Sequence, residues 1–312
     1  MAINIGMHCD GDAWPVAHLK AVEDLGFDVL TTGEHIVFHR PILESTAVLG
    51  FAAAATTRIK LAPATMILPL RHPTMIAKQV ASLDVLSGGR ILLTVGVGGD
   101  YEREFIACGV PKKERGVRTS EAIEIMKKYW SGETFSYHGE IFTLDDVELM
   151  PVPVQKGGPP IWVSGRSEGA MQRAALLGDG WHPYMYTPDQ ANASFHRVKE
   201  IANENGRELP ADYAFACFIY CSMYDDTNTA RDKAIETLTY RYKQPFEKIV
   251  DKYCAFGSPN QVAERLCEFV EAGGTSIFTG LIMPPEERLK YLERFATEVV
   301  PQVRRATPAK IL

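Results

Sequence analysis

Residues 30–40 read Leu-Thr-Thr-Gly-Glu-His-Ile-Val-Phe-His-Arg. The run before them, Leu-Gly-Phe-Asp-Val-Leu at 25–30, has the apolar, β-branched character of a buried strand. Buried strands end in turn residues, so Glu34 and His35 directly after Gly33 call for a reason. A carboxylate beside an imidazole at a strand end is a rim salt bridge or a general acid–base pair. Metal ligation with His8 or His182 is a third reading, but no other strand end offers clustered Asp or Glu, and no HxH is present. His35 and His39 are four apart, yet Ile36 and Val37 between them and Pro41 after them predict a loop. His39 is then expected to be an exposed loop residue, and His72, ahead of Pro73, a helix cap.

A second stretch, Val-Ser-Gly-Arg-Ser-Glu-Gly-Ala at 163–170, leaves an apolar strand and enters a helical pattern. The first amides of a helix have no internal partners, and small residues let a ligand approach them. Ser164, Gly165 and Ser167 therefore suit an anion, commonly a phosphate, and Arg166 can add a charge-assisted bond. The plain alternative is that Ser167 is only an N-cap. Glu168 favours the helix dipole but would repel a phosphate if it turned inward. A third stretch, Leu-Leu-Thr-Val-Gly-Val-Gly-Gly-Asp at 92–100, places Gly96, Gly98 and Gly99 after a strand, as clearance for a flat ligand or as a tight turn. Cys9 lies near a strand end and is the candidate reactive thiol. The other five cysteines have mostly apolar neighbours and no CxxC spacing, as reduced thiols of a cytoplasmic protein do.

The elements that must position these residues alternate regularly. Strand patterns at 3–8, 27–32, 59–65, 91–98, 160–165, 180–184, 213–224 and 276–282 each precede a helical pattern. The helical patterns fall at about 13–25, 43–57, 73–87, 117–130, 167–178, 189–206, 229–243 and 286–304. Eight β–α units without a change of rhythm predict a parallel α/β fold closed into a (β/α)₈ TIM barrel, with an open doubly wound sheet as the alternative. The chain of 312 residues exceeds the roughly 250 of a plain barrel. The excess falls at about 131–159, which reads as a hairpin and a proline-rich return, and at about 244–260, which reads as irregular. Neither has linker composition, so residues 1–312 are expected to form one domain with two insertions. In such a barrel the site lies at the C-terminal strand ends, where Glu34, His35, Thr65, Gly98, Ser164 and His182 all fall.

Composition narrows the partners. Net charge is −6, with no basic stripe, which argues against nucleic acid. No apolar run approaches the roughly 18–20 residues of a membrane span, and the N-terminal segment lacks the pattern of a secretory signal.

The 83–133 segment Leu-Asp-Val-Leu-Ser-Gly-Gly-Arg through Trp-Ser-Gly-Glu resembles the luciferase-like flavin- and F420-dependent oxidoreductases. So do Pro-Pro-Ile-Trp-Val-Ser-Gly-Arg-Ser at 159–167, the 257–280 segment and Ala-Val-Glu-Asp-Leu-Gly-Phe-Asp at 21–28. The resemblance runs over about 3–300 and implies a barrel carrying FMN or the deazaflavin F420. It places the cofactor phosphate at Ser164–Ser167 and the ring near a non-prolyl cis peptide matching Ala64–Thr65. Gly98 would clear the ring, and Glu34 and His35 would stand at its reactive face, Glu34 fixing the His35 tautomer or the loop. F420-dependent members commonly carry Asp where Glu34 stands, and some have a carboxylate after the fourth-strand glycines, for which Asp100 is the nearest equivalent. Three functions follow as expectations: monooxygenation with reduced FMN, hydride transfer with F420, and a non-catalytic flavin-binding barrel. A metal-dependent barrel enzyme is a further alternative. A flavin reductase supplying reduced FMN and a homodimeric state are also implied. Phe135, Tyr137, Phe142 and Met150 of the 131–159 insertion are expected either to cover the mouth above a small, mostly apolar substrate or to pack on outer helices.

Overall fold

A computed structural model describes residues 3–99 and 101–311; Asp100 lies outside them. The strands are β1 (Asn4–His8), β2 (Val29–Thr32), β3 (Lys60–Pro63), β4 (Met66–Ile67), β5 (Leu93–Gly96), β6 (Phe135–His138), β7 (Thr143–Val147), β8 (Ile161–Gly165), β9 (Gly180–Pro183), β10 (Ala214–Met223), β11 (Cys254–Gly257) and β12 (Ser276–Ile282). The helices are α1 (Val16–Asp24), α2 (Ser45–Ala55), α3 (Pro73–Ser87), α4 (Glu102–Ala107), α5 (Arg115–Trp130), α6 (Glu168–Leu177), α7 (Pro188–Glu204), α8 (Thr227–Tyr242), α9 (Val250–Tyr253), α10 (Pro259–Glu271), α11 (Arg288–Arg294) and α12 (Val300–Val303).

Nine strand segments follow one parallel order, β3-β2-β1-β12-β10-β9-β8-β5-β4. Leu61 closes the circle: its amide donates to the Arg90 carbonyl and its carbonyl accepts from Leu92, both at 2.9 Å. β3 and β4 are halves of one barrel strand, parted at the cis Ala64–Thr65 peptide. The eight expected barrel strands are therefore present, and the open-sheet alternative is excluded.

The barrel is filled by Val29, Ala62, Leu92, Trp162, Ala214, Ala216 and Phe278, a cluster separate from the larger barrel–helix core. Trp162 and Phe278 stack with ring centroids 5.7 Å apart. Small neighbours admit them: a Cβ on Gly6 would come within 2.4 Å of the Phe278 ring. Packing of this kind makes a plug rather than a pore, and the functional space lies above it. Helix boundaries follow the expected chemistry. Pro73 opens α3 behind a His72 side chain that accepts from the Thr74 amide, as the sequence predicts, and Gly88 ends that helix with φ 70°.

The two insertions pack against different parts of the barrel. β6 and β7 form the expected antiparallel hairpin, but it joins the end of helix α5 to the start of strand β8. The hairpin lies along the outside of α5, from Tyr129 near its last turn to Arg118 in its first. Phe142 is buried there under Arg118 and against His72. Phe135 packs edge-on to Tyr129, and the Tyr137 hydroxyl donates to Glu124 of α5 at 2.8 Å. Met150 is exposed. The cover reading fails for this hairpin, and packing on the outer helices is what the structure shows.

The 244–260 stretch is more ordered than its sequence suggests. It contains α9 and β11, and β11 adds a parallel edge to the upper half of β10, pairing Tyr220 with Cys254 and Met223 with Gly257. With α8 it forms a roof over the barrel, built on its own cluster of Met185, Tyr220, Leu238, Phe246, Val250 and Ile282. Among the described residues no helix is long and apolar enough to cross a membrane.

Candidate active site

A cavity of about 340 Å³ opens at the C-terminal strand ends. His8, Glu34, Thr65, Gly96, Ser164 and His182 bring six strand ends to it, and Tyr220, Arg241 and Tyr242 close it from the roof side. Of the residues singled out from sequence, Glu34, His35, Ala64, Thr65, Gly98, Ser164, Gly165 and Arg166 line this one space. Ser167 does not line it.

Glu34 and His35 are neighbours in sequence but not partners. The Glu34 carboxylate accepts from the Ser45 hydroxyl, from the Ile67 amide at 3.0 Å and from Arg71 at 2.5 Å. Burial pushes its pKa up, against the pull of Arg71, Ser45 and the Ile67 amide. It ties the loop after β2 to α2, β4 and Arg71. The His35 ring instead meets Glu104, with Nδ1 2.9 Å from Oε2. Glu104 is almost wholly buried and also accepts from the amides of Ile36 at 2.6 Å and Val37 at 3.3 Å. The expectation that Glu34 fixes the His35 tautomer is therefore corrected: the carboxylate that does so is Glu104, 69 residues away. The shared Nδ1 proton leaves Nε2 as the ring nitrogen with a lone pair. Phe38 stacks on the same ring, with centroids 3.7 Å apart.

Across the cavity His182 is held by Ser164. The Ser164 hydroxyl donates to the His182 carbonyl at 2.7 Å, so its oxygen accepts from Thr65 Oγ1 at 2.9 Å and from His182 Nδ1 at 3.0 Å. That count fixes the proton on Nδ1 and leaves Nε2 an acceptor. Nε2 is buried and has no partner among the described residues. Burial, with His8 nearby, holds the His182 pKa down to about 3. His8 Nδ1 pairs with Thr31 Oγ1 at 2.9 Å, and its ring stands edge-on to Phe218. Among the described residues no three His, Cys, Asp or Glu side chains gather as metal ligands.

At the β8–α6 turn Gly165 has φ 155°, and a Cβ there would lie 2.6 Å from the Ala170 Cβ. The turn is thus as tight as the sequence requires. Ser167 caps α6, accepting from the Ala170 amide at 3.3 Å. The amides of Ser167, Glu168 and Gly169 donate to no acceptor among the described residues, as the first turn of a helix leaves them. Glu168 turns away to Arg197 at 2.7 Å, so it does not oppose an anion at this turn. Gly98 has φ 59°, and a Cβ there would strike Ile67 Cγ2 at 2.6 Å.

Two other expectations change. Cys9 is buried, and burial raises its thiol to about 11, so it is no reactive thiolate. All six cysteines are free. His39 is half-buried, and its Nε2 lies 3.4 Å from the Tyr240 carbonyl of α8. It pins the His35 loop to the roof.

The sequence reading missed Glu104, Asp10, Arg40 and Arg241. Glu104 had a local signal: it sits in Tyr-Glu-Arg-Glu-Phe just past the glycines, where attention fell on Asp100. The Asp10–Arg241 pair spans the roof and the first strand and leaves no local trace.

Comparison with known proteins agrees with this architecture. The sequence pattern of the luciferase-like monooxygenases matches residues 15–276. An FMNH(2)-dependent dimethylsulfone monooxygenase of Pseudomonas putida is 27% identical over 295 residues, covering 84% of this chain and 78% of its own. An F420-dependent glucose-6-phosphate dehydrogenase of Kineococcus radiotolerans is 25% identical over 297 residues, covering 86% and 85%. The structure of an F420-dependent secondary alcohol dehydrogenase with an F420-acetone adduct superposes with a TM-score of 0.85 at 20% identity, over 97% of this chain and 100% of that one. That last likeness is one of fold.

Proposed function

Because this chain belongs to the luciferase-like monooxygenase family, we propose that the cavity at its C-terminal strand ends is the active site of a cofactor-dependent redox enzyme. The protein is a flavin- or F420-dependent oxidoreductase whose cofactor is FMN or F420. The cofactor phosphate is assigned to the open amides of Ser167, Glu168 and Gly169 with Arg166, and the ring to the space beside Ala64, Thr65 and Gly98. Several features of the cavity fit such a group. A helix N-terminus with unspent donors suits a phosphate. The buried, unpartnered His182 Nε2 is an acceptor awaiting a ring N–H. The backbone at Gly98 passes close with no room for a side chain.

The bound cofactor supplies the electron pair or the oxygen chemistry. The chain positions the substrate and moves the proton. His35, its Nδ1–H held by Glu104, offers Nε2 as a base to a substrate hydroxyl, or as an acid to a carbonyl once it is protonated. Glu34 carries no proton in this scheme and keeps the loop in place. The Phe38 stack and the Tyr240 carbonyl under His39 fix the height of the ring. Phe38, Ile42 and Phe218 wall the remaining space with apolar surface, which suits a small, mostly apolar organic substrate.

The His35–Glu104 pair is the observation that favours proton-coupled hydride transfer. Monooxygenation with reduced FMN, fed by a separate flavin reductase, is the second reading; the Pseudomonas relative supports it. The assignment takes residues 1–312 as one functional domain, acting in the cytoplasm as a homodimer. The test loads purified protein with FMN or F420 and follows the cofactor absorbance with alcohols and carbonyl compounds under argon. A change of redox state without oxygen is expected. Change only after oxygen is admitted transfers the assignment to monooxygenation. Uptake of neither cofactor overturns the proposal.

A further inference from the structure

One end of the cavity holds more positive charge than its neighbours cancel. Arg40, on the loop that carries His35, and Arg241, in the last turn of α8, both line it. Asp10 bridges them, with Oδ1 3.1 Å from Arg40 Nη2 and Oδ2 3.1 Å from Arg241 Nη2. The other carboxylates lining the cavity are already hydrogen-bonded elsewhere, Glu34 to Arg71 and Glu104 to His35 and two amides. Asp12, the next carboxylate outward, is attracted by Arg241 and Arg40 and, more weakly, by Arg288. Three guanidiniums, Arg40, Arg241 and Arg288, which do not lose their protons, thus face two carboxylates, Asp10 and Asp12.

The hydrogen-bond count points the same way. A guanidinium carries five N–H donors. Arg40 gives one to Asp10, and its Nε is buried with no acceptor among the described residues. Arg241 rests over the Tyr220 ring at 5.3 Å and bonds Tyr220 and Asp10. An arginine that merely complemented the end of a helix would stand in solvent; only 15% of this side chain is exposed. Surplus donors in a walled site call for a group that only accepts, and a planar fork suits carboxylate or sulfonate.

We infer that the substrate is an organic acid. Its carboxylate or sulfonate is anchored between Arg40 and Arg241, and its apolar body runs past Phe38 and Phe218 toward His35. This rests on the cavity being the active site proposed above. A cofactor phosphate is not the anion in question, because the β8–α6 turn with Arg166 lies on the other side of the ring space and has its own donors.

Isothermal titration of the full chain, with and without saturating FMN or F420, would compare benzoate, hexanoate and benzenesulfonate with benzamide, hexanamide and benzenesulfonamide. At least one acid is expected to bind saturably and about tenfold tighter than its amide. Arg241→Met and Arg40→Met should each erase about tenfold of that preference while cofactor uptake stays unchanged. Equal binding of acids and amides, no saturable binding by any acid, or a preference that survives both substitutions overturns the inference. If neither cofactor is taken up but the acid preference persists and falls in the arginine variants, the anion site stands and the redox assignment fails.

Discussion

Glu34 and Glu104 are both buried beside the same histidine loop, yet their partners give them different work. Glu34 is one half of a buried ion pair with Arg71. Removing one partner of such a pair costs about 3–5 kcal/mol, so Glu34→Gln should lower the melting temperature and change turnover far less. His35→Ala should do the reverse, reducing kcat about a hundredfold or more with cofactor affinity and melting temperature nearly unchanged. Turnover lost in Glu34→Gln at full stability would exchange the two roles. His182 makes a pH prediction. Its folded pKa of about 3 lies below the ordinary 6.5, so the unfolded chain binds a proton that the native state refuses. The stability it contributes is complete above pH 6.5 and is lost as pH falls toward 3, by at most about 1.4 kcal/mol per pH unit. Urea midpoints between pH 6.5 and about 5, above most carboxylate titration, should decline with acid in the native protein and less steeply in His182→Gln. Identical slopes would mean that His182 is protonated in the fold.

At the scale of elements, what the sequence shows depends on how local the cause is. The eight strand–helix units were legible because each strand is a short, almost wholly buried run, as in β2 and β12, and parallel strands covered on both faces read as continuous apolar stretches. Pro73 and Gly88 marked α3 to the residue. The β11 edge was not legible: Cys-Ala-Phe-Gly is too short to show a period, and it becomes a strand only because β10 outruns the barrel and leaves its upper edge unpaired. The hairpin was legible as an element but not in its location, since its aromatic residues serve α5 and not the mouth. Phe142→Ala should therefore cost about 3 kcal/mol and leave the substrate KM as it was; a raised KM at unchanged stability would return the hairpin to the mouth. The β8–α6 turn carries the fourth prediction. Aspartate caps helices as well as serine does, so Ser167→Asp should keep α6 intact while adding charge beside the open amides. Cofactor affinity should fall at least tenfold, about 1.4 kcal/mol. Unchanged affinity in the folded variant would move the phosphate elsewhere.

Across the whole molecule the carboxylates that tie the chain together outside the cavity differ from those that line it. Outside the cavity Glu23 takes the amides of Thr57, Arg58 and Ile59, Asp179 takes the Ile161 amide, and Glu121 takes those of Glu140, Ile141 and Phe142. These groups seal chain reversals that would otherwise leave donors unpaired. At the C-terminal end Asp10 and Glu104 meet guanidinium or imidazole groups within the cavity. A bare sequence offers 39 acidic residues without this distinction, because which of them line the cavity is decided by closure of the barrel. That is why the strand ends that line the cavity could be read in advance while two of its charged residues, Glu104 and Arg241, could not. The roof has a consequence of another kind. Its apolar cluster is separate from both barrel cores, and it contributes Arg241 and Tyr242 to the cavity while the β8–α6 turn and His35 belong to the barrel beneath. The roof can therefore be rewritten as a module while the strand ends below keep their own packing. Grafting the segment from α8 through α9 between paralogues is a direct route to chimeras that keep their cofactor and change their diet.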